Sequence, residues 1–143
     1  MERLADRFAR SVRRHPEERL ERIMRGWRRQ GILRQVFFGM PRALDRDAAG
    51  DVRAVVEYRI RGRRDGGLDR YQVRIERGRA RARRGGDAEP TVALELDPVP
   101  FLHLVSGLAT GPELFMRGRL NIDGDLMLAT RLPSLFRIPQ PGR

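Results

Sequence analysis

The sequence predicts an α+β domain, and three observations carry that prediction. Apolar residues recur at helical spacing towards both ends of the chain, and between about residue 52 and residue 96 they alternate with polar ones at a period of two. With 40% hydrophobic residues, 143 residues suffice for one domain with a real core and are too few for two ordinary ones. Aromatics make up only 6%, so the core must be built mainly from aliphatic side chains.

Leu4, Phe8 and Val12, with Ala5 and Ala9 beside them, form a narrow apolar stripe on a short helix whose other faces carry Arg. His15-Pro16 breaks it, and Leu20, Ile23, Met24 and Trp27 resume the spacing, with Glu17 and Glu18 in the first turn, where the helix dipole favours acids. Gly31 is expected to end this helix, after which Ile32, Leu33, Val36, Phe37 and Met40 form another apolar face up to Pro41. From Asp51 the period becomes two: Val52, Ala54, Val56, Tyr58 and Ile60 share one face of a strand. Asp65-Gly66-Gly67 marks a turn, Tyr71, Val73 and Ile75 alternate again, and Ala80 and Ala82 after Gly78 suggest a third, basic strand of an antiparallel meander. Gly85-Gly86-Asp87 interrupts it before a fourth strand with Val92, Leu94 and Leu96.

Asp97 occupies an N-cap position with Pro98 behind it, opening a helix with Phe101, Leu102, Leu104, Val105 and Leu108 that Gly107 ends early. Thr110 and Glu113 have capping-box spacing for a short helix with Leu114, Phe115 and Met116. Leu120 and Ile122 mark a fifth strand ending at Gly124. Asp125 then caps a last helix with Leu126, Met127, Leu128, Leu132, Leu135 and Phe136, running until Pro139.

Several functional classes are excluded or disfavoured. Without cysteine there is no disulfide, thiolate metal site or cysteine nucleophile, a composition that suits a reducing cytoplasm. The longest apolar runs, such as Val36-Phe37-Phe38, fall far short of the roughly 20 residues of a membrane span. Arg13-Arg14 is followed by His15, Pro16, Glu17 and Glu18 instead of an apolar core, so no export is expected. His15 and His103 are the only imidazoles and Ser11, Ser106 and Ser134 the only serines, with no nucleophile-elbow pattern, so no enzyme is expected. Asn121, Asp123 and Asp125 suggest a calcium loop, but Gly124 stands at its fourth position instead of its sixth and no Glu follows at the twelfth. No metal or other cofactor is expected.

The net charge of +11 comes from 30 Arg and no Lys. It is concentrated in residues 1–34, with 11 Arg against 5 acids, and residues 59–84, with 11 against 3. Such patches suit phosphates. Nucleic acid is nevertheless disfavoured, because Tyr58 and Tyr71 lie on the aliphatic strand face and leave the basic face without stacking aromatics.

The stretch Phe115-Met116-Arg117-Gly118-Arg119-Leu120-Asn121-Ile122-Asp123-Gly124-Asp125, followed by Leu128-Ala129 and Leu132-Pro133-Ser134-Leu135-Phe136, resembles a sterol carrier protein-type sterol-transfer domain. Phe38-Gly39-Met40-Pro41, the strand ending Leu94-Glu95-Leu96-Asp97 and the helix from Phe101 to Gly107 extend the resemblance over roughly residues 32–138. It implies a five-stranded, largely antiparallel sheet covered by helices, with an apolar cavity between the layers for a sterol, fatty acid, acyl-CoA or phospholipid. Residues 1–30 then read as a basic helical extension packing on a domain over 31–138, with a tail at 139–143. The ending Pro-Gly-Arg is not the Ser-Lys-Leu peroxisomal address, so a bacterial-type or cytoplasmic setting is expected.

On that architecture the residues expected to line the lipid site are Trp27, Val36, Phe37 and Met40 in the early helices, and Val56 and Tyr58 on the first strand. Phe101, Leu104, Val105 and Leu108 follow on the next helix, then Phe115 and Met116, Ile122 on the fifth strand, and Met127, Leu132 and Phe136 at the end. Flexible thioethers and flat rings suit a pocket for varied apolar ligands, although the same residues also make an ordinary core. Arg61, Arg63, Arg64, Arg83 and Arg84 are the expected contacts for a headgroup or phosphate, or else solvated strand faces. The first helix suits transient contact with an anionic membrane, or packing on the domain. The different-class rival is a basic interaction module, docking to nucleic acid or an acidic partner on the same fold. Monomer and dimer are both compatible with the sequence.

Overall fold

The computed structural model describes residues 4–137, with side chains from residue 6. The expected roles of the Leu4 and Ala5 side chains and of the tail at 139–143 lie outside the described residues. Three helices lead the chain, α1 (Leu4–Arg14), α2 (Glu17–Arg25) and α3 (Arg28–Gly39), followed by a 3-10 turn at Met40–Ala43 and the short α4 (Arg46–Ala49). Then come β1 (Ala54–Ile60), β2 (Asp69–Glu76), β3 (Arg79–Arg84), β4 (Val92–Leu96), α5 (Pro98–Val105), α6 (Gly111–Met116), β5 (Leu120–Gly124) and α7 (Leu126–Leu135).

The five strands form one mixed sheet in the order β3-β2-β1-β4-β5. All neighbours are antiparallel except β1 and β4, which run parallel with Tyr58 opposite Leu94. The period-two reading holds: Val56, Tyr58, Ile60, Tyr71, Val73, Ile75, Val92, Leu94, Leu96 and Leu120 are buried on one face. Leu33 and Phe37 from α3, Phe101 and Leu102 from α5, and Leu128, Leu132 and Leu135 from α7 complete the core. Ala9 and Val12 of α1 are buried, with α1 touching α5, and Leu20 and Met24 of α2 are buried where α2 meets α3 and α5.

Four local expectations need correcting. The second helix ends at Gly26, whose N–H bonds to the Ile23 carbonyl, and Gly31 lies exposed within α3. Its cost inside a helix, up to about 1 kcal/mol, is outweighed by the packing of Leu33 and Phe37 and the anchoring of Arg29. The first strand starts at Ala54, because Asp45 accepts from the N–H groups of Asp47 and Ala48 and nucleates α4 before it. The last helix ends at Leu135, and Phe136 leaves it to bridge Leu44. Asp97 stands at the N-cap of α5 but its carboxylate accepts from Arg61 Nε (3.1 Å) and not from the helix. Thr110 and Asp125 do cap, accepting from Glu113 N (3.2 Å) and Leu128 N (3.0 Å).

The connection from β3 to β4 crosses the other face of the sheet and lays residues 85–91 over a buried carboxylate. Glu57 accepts from Arg59 Nε (2.6 Å), Gln72 Nε2 (2.9 Å) and Arg70 Nη1 (3.2 Å), while Gln72 also donates to the Ala88 carbonyl and Arg70 to that of Gly86. Gly86 has φ +92, and a Cβ there would run into the Gln72 amide, so this crossing requires glycine. Burial alone would raise the Glu57 carboxyl, but the hydrogen bonds from Gln72 and Arg59 and the charges of Arg59 and Arg70 outweigh it and hold the group below its ordinary 4.5. A depressed folded-state value means that Glu57 stabilises the fold above pH 4.5 and loses that contribution as the pH falls through the folded value. Urea unfolding between roughly pH 6 and pH 3 should therefore show a steeper loss of stability in the wild type than in Glu57→Gln; parallel curves would exclude this role.

Candidate functional site

The structure sorts the expected apolar site residues into three environments. Phe37, Val56, Tyr58, Phe101, Leu132 and Phe136 are buried. Phe37 stacks on Tyr71 (centroids 4.2 Å apart) and Phe101 (5.2 Å), with Tyr58 tilted against it at 5.2 Å, so these rings fill the space between α3, α5 and strands β1 and β2. Burial raises the phenols of both Tyr58 and Tyr71 above their usual range. Tyr71 Oη is buried without a hydrogen-bond partner among the described residues.

Val36, Met40, Leu104, Val105 and Ile122 are half-buried against this core. The remaining residues face outward: Met116 is 82% exposed, Met127 74% and Phe115 49%, with Leu108 and Leu126 exposed beside them in the chain. Because α6 touches both β5 and α7, and Leu108 lies in the loop entering α6, the half-buried residues of α5 and β5 and these exposed ones belong to one corner of the domain. Trp27 stands apart. It lies at the α2–α3 junction and is 87% exposed, so it is no part of the core. Its place in the helical stripe ended with α2 at Arg25, so the stripe no longer determines which way it points.

Of the five arginines expected to meet a headgroup, three are engaged within the chain. Arg61 pairs with Glu95 (3.2 Å) and Asp97 (3.1 Å), Arg63 with Asp65 (2.8 Å) and Asp69 (3.3 Å), and Arg84 lies 3.6 Å from Asp69. Arg64 and Arg83 are exposed, with no ion pair among the described residues.

Sequence reasoning missed the buried pair beneath these arginines. Arg29 donates from Nε to Asp69 (2.8 Å), from Nη2 to the Ile60 carbonyl (2.8 Å) and from Nη1 to that of Met24 (3.3 Å), and Gln30 Nε2 also reaches Asp69 (3.0 Å). Both partners are almost wholly buried. Asp69, two residues before Tyr71 and so in phase with the buried positions of β2, carried a weak signal, whereas nothing marked Arg29 among 30 arginines.

The buried Ser106 Oγ has no hydrogen-bond partner among the described residues, so it is not paired with His103. Among those residues no group of three or more His, Asp or Glu is placed to hold a metal. Nor is any helix there long and apolar enough to cross a membrane.

The chain is thus an α+β domain whose sheet is covered on one face by helices, with half-buried and exposed apolar side chains at one corner. Residues 35–137 match the family model of the SCP-2 sterol transfer family, and the chain belongs to that family. No curated protein matches the chain. Among solved structures, sterol carrier protein 2 from Yarrowia lipolytica in its apo form is 18% identical, with a TM-score of 0.56 over 73% of this chain and 84% of that one. Palmitated SCP2L2 from Aedes aegypti is 19% identical, with a TM-score of 0.58 over 78% and 96%. The stereoselective inverting sec-alkylsulfatase Pisa1 from Pseudomonas sp. contains the same fold, at 18% identity and a TM-score of 0.60 over 70% of this chain; the present chain spans only 16% of that enzyme. At these identities the likeness is one of fold.

Proposed function

We propose that this chain binds a sterol, fatty acid or fatty acyl-CoA non-covalently, without catalysing a reaction, and carries it between apolar environments in a reducing cytoplasm. The observation that carries this reading is the family match over residues 35–137. The fold shared with a palmitated protein supports an acyl ligand in particular. On this reading the lipid enters at the α5–α6–β5–α7 corner, with Leu104, Val105 and Ile122 beneath it and Phe115, Met116 and Met127 at the mouth of the site. Met and Phe suit such a mouth because they adapt to ligands of varied shape. Each methylene transferred from water contributes roughly 0.8 kcal/mol, so a dozen carbons supply on the order of 10 kcal/mol before ordering costs. No charged catalytic group is needed for that.

Native mass spectrometry of the freshly purified protein should show a co-purified lipid that a fluorescent fatty acid displaces stoichiometrically. Phe115→Asp and Met127→Asp should each weaken probe binding by about tenfold or more while leaving the melting temperature nearly unchanged, because exposed positions typically tolerate substitution within about 0.5 kcal/mol. A protein that binds neither lipid nor probe refutes the proposal.

A further inference from the structure

The β3 edge of the sheet combines free backbone groups with unpaired positive charge. β3 stands last in the strand order, so among the described residues only its β2 side is paired. In an antiparallel ladder, residue pairs that exchange backbone hydrogen bonds alternate with pairs that do not. Two observations fix that alternation here. Gly85 N–H bonds to the Arg70 carbonyl (2.7 Å), and the two-residue turn Arg77-Gly78, with φ +53 and +71, closes on the bonded pair Glu76 and Arg79. Arg79, Arg81 and Arg83 therefore bond inward to β2, while the N–H and C=O groups of Ala80, Ala82 and Arg84 point away from it. None of these outward groups has a hydrogen-bond partner among the described residues.

We infer that this edge accepts, as an added strand, an extended segment of a partner protein in which acidic and apolar residues alternate. Side chains of β3 point to the two faces in turn. Ala80 and Ala82 share the helix-covered face with Val73 and Ile75, so Arg79, Arg81 and Arg83 lie on the opposite face, where Arg74 of β2 stands directly across from Arg81. Like charges in register repel, and neither these four arginines nor Arg77 at the turn has an ion pair among the described residues. A strand added here relieves that repulsion when every second residue is acidic. Its remaining side chains fall on the helix side, where α3 and the 3-10 turn touch β3 and carry the exposed Phe38 and the half-buried Met40. Those positions favour apolar residues. The same charge excludes a second copy of this chain, since two β3 edges would set Arg against Arg. Nucleic acid would meet the charge but make no use of the row of peptide groups, and the first three strands give it no ring to stack on, because Tyr58 and Tyr71 both face the helices. β5 forms the other edge of the sheet, so a partner at β3 leaves the proposed lipid corner open, and the inference does not rest on lipid binding.

The probe is a fluorescein-labelled peptide of about eight residues in which Glu and Val alternate, added to the full-length protein. Fluorescence anisotropy should show saturable binding that weakens with salt and is about tenfold or more tighter than for a peptide of the same composition with its Glu residues in one block. Hydrogen exchange at the amides of Ala80, Ala82 and Arg84 should slow by about tenfold when the peptide binds, while the amides of Arg79, Arg81 and Arg83, already bonded to β2, should change little. Arg81→Glu should weaken peptide binding by about tenfold, yet melt no lower than the wild type, because it sets an acid opposite Arg74. Absence of saturable binding, equal affinity for the blocked peptide, or unchanged exchange at Ala80, Ala82 and Arg84 would each overturn the inference. So would a single-stranded oligonucleotide that displaces the peptide while leaving those three amides unprotected.

Discussion

Asp69→Ala should destabilise the protein by about 3–5 kcal/mol, the usual consequence of removing one partner from a buried ion pair. The carboxylate it removes accepts from Arg29 Nε and Gln30 Nε2, and it is also the partner of Arg63 and a near neighbour of Arg84. Without Asp69 the Arg29 guanidinium is left as a buried charge facing no carboxylate among the described residues. Its hydrogen bonds to the Ile60 and Met24 carbonyls satisfy geometry but not charge. At a slope of about 1–3 kcal/mol per molar urea, the midpoint should fall by roughly 2 M. A charge-free double variant, Arg29→Met with Asp69→Leu, should recover most of the loss, since well-packed apolar residues often replace a buried pair without penalty. A fall of less than about 1 kcal/mol in Asp69→Ala would show that water reaches the site and that the pair does not hold α3 to the ends of β1 and β2.

Phe37→Ala should be about as damaging, at about 3–5 kcal/mol. Phe37 is fully buried and touches three other rings, Tyr58, Tyr71 and Phe101, from three different elements. Truncation loses the transfer energy of a ring and leaves a void between α3 and the sheet that rigid strands cannot close. The melting temperature should fall on the order of 10–20 °C. The same variant also locates the ligand. With the lipid at the α5–α6–β5–α7 corner, the affinity of the folded variant for a fluorescent fatty acid should match the wild type when measured well below its melting temperature. Markedly tighter binding would mean that the ligand takes the place of Phe37, and would move the site towards α3.

The sheet and the C-terminal half were legible because their signals are local. Alternation in Val56, Tyr58 and Ile60, or in Tyr71, Val73 and Ile75, follows from successive strand side chains pointing to opposite faces, and the structure buries every one of these residues. Thr110 and Asp125 were readable as caps because a short polar side chain reaches its own helix start without help from elsewhere. Asp97 had the same pattern, yet Arg61, 36 residues earlier, claimed its carboxylate. The break between the second and third helices was misplaced for a similar reason. Gly31 was the expected stop, but the packing of Leu33, Phe37 and Arg29 carries α3 through it, and the break falls at Gly26.

The candidate site was less legible than the fold. Helical spacing identified Phe115, Met116 and Met127 as apolar positions but said nothing of whether another element covers them, and none does so fully. The basic block showed its charge but not how much of it Glu57, Asp69, Glu95 and Asp97 neutralise. Periodicity, turns and caps were set by residues within a few positions of one another, where backbone geometry alone relates side chains to faces. The parallel pairing of β1 with β4, the union of Arg29 with Asp69 across 40 residues and the outward turn of Trp27 were decided only by the folded topology, because burial and charge pairing depend on which distant segments the sheet order brings together.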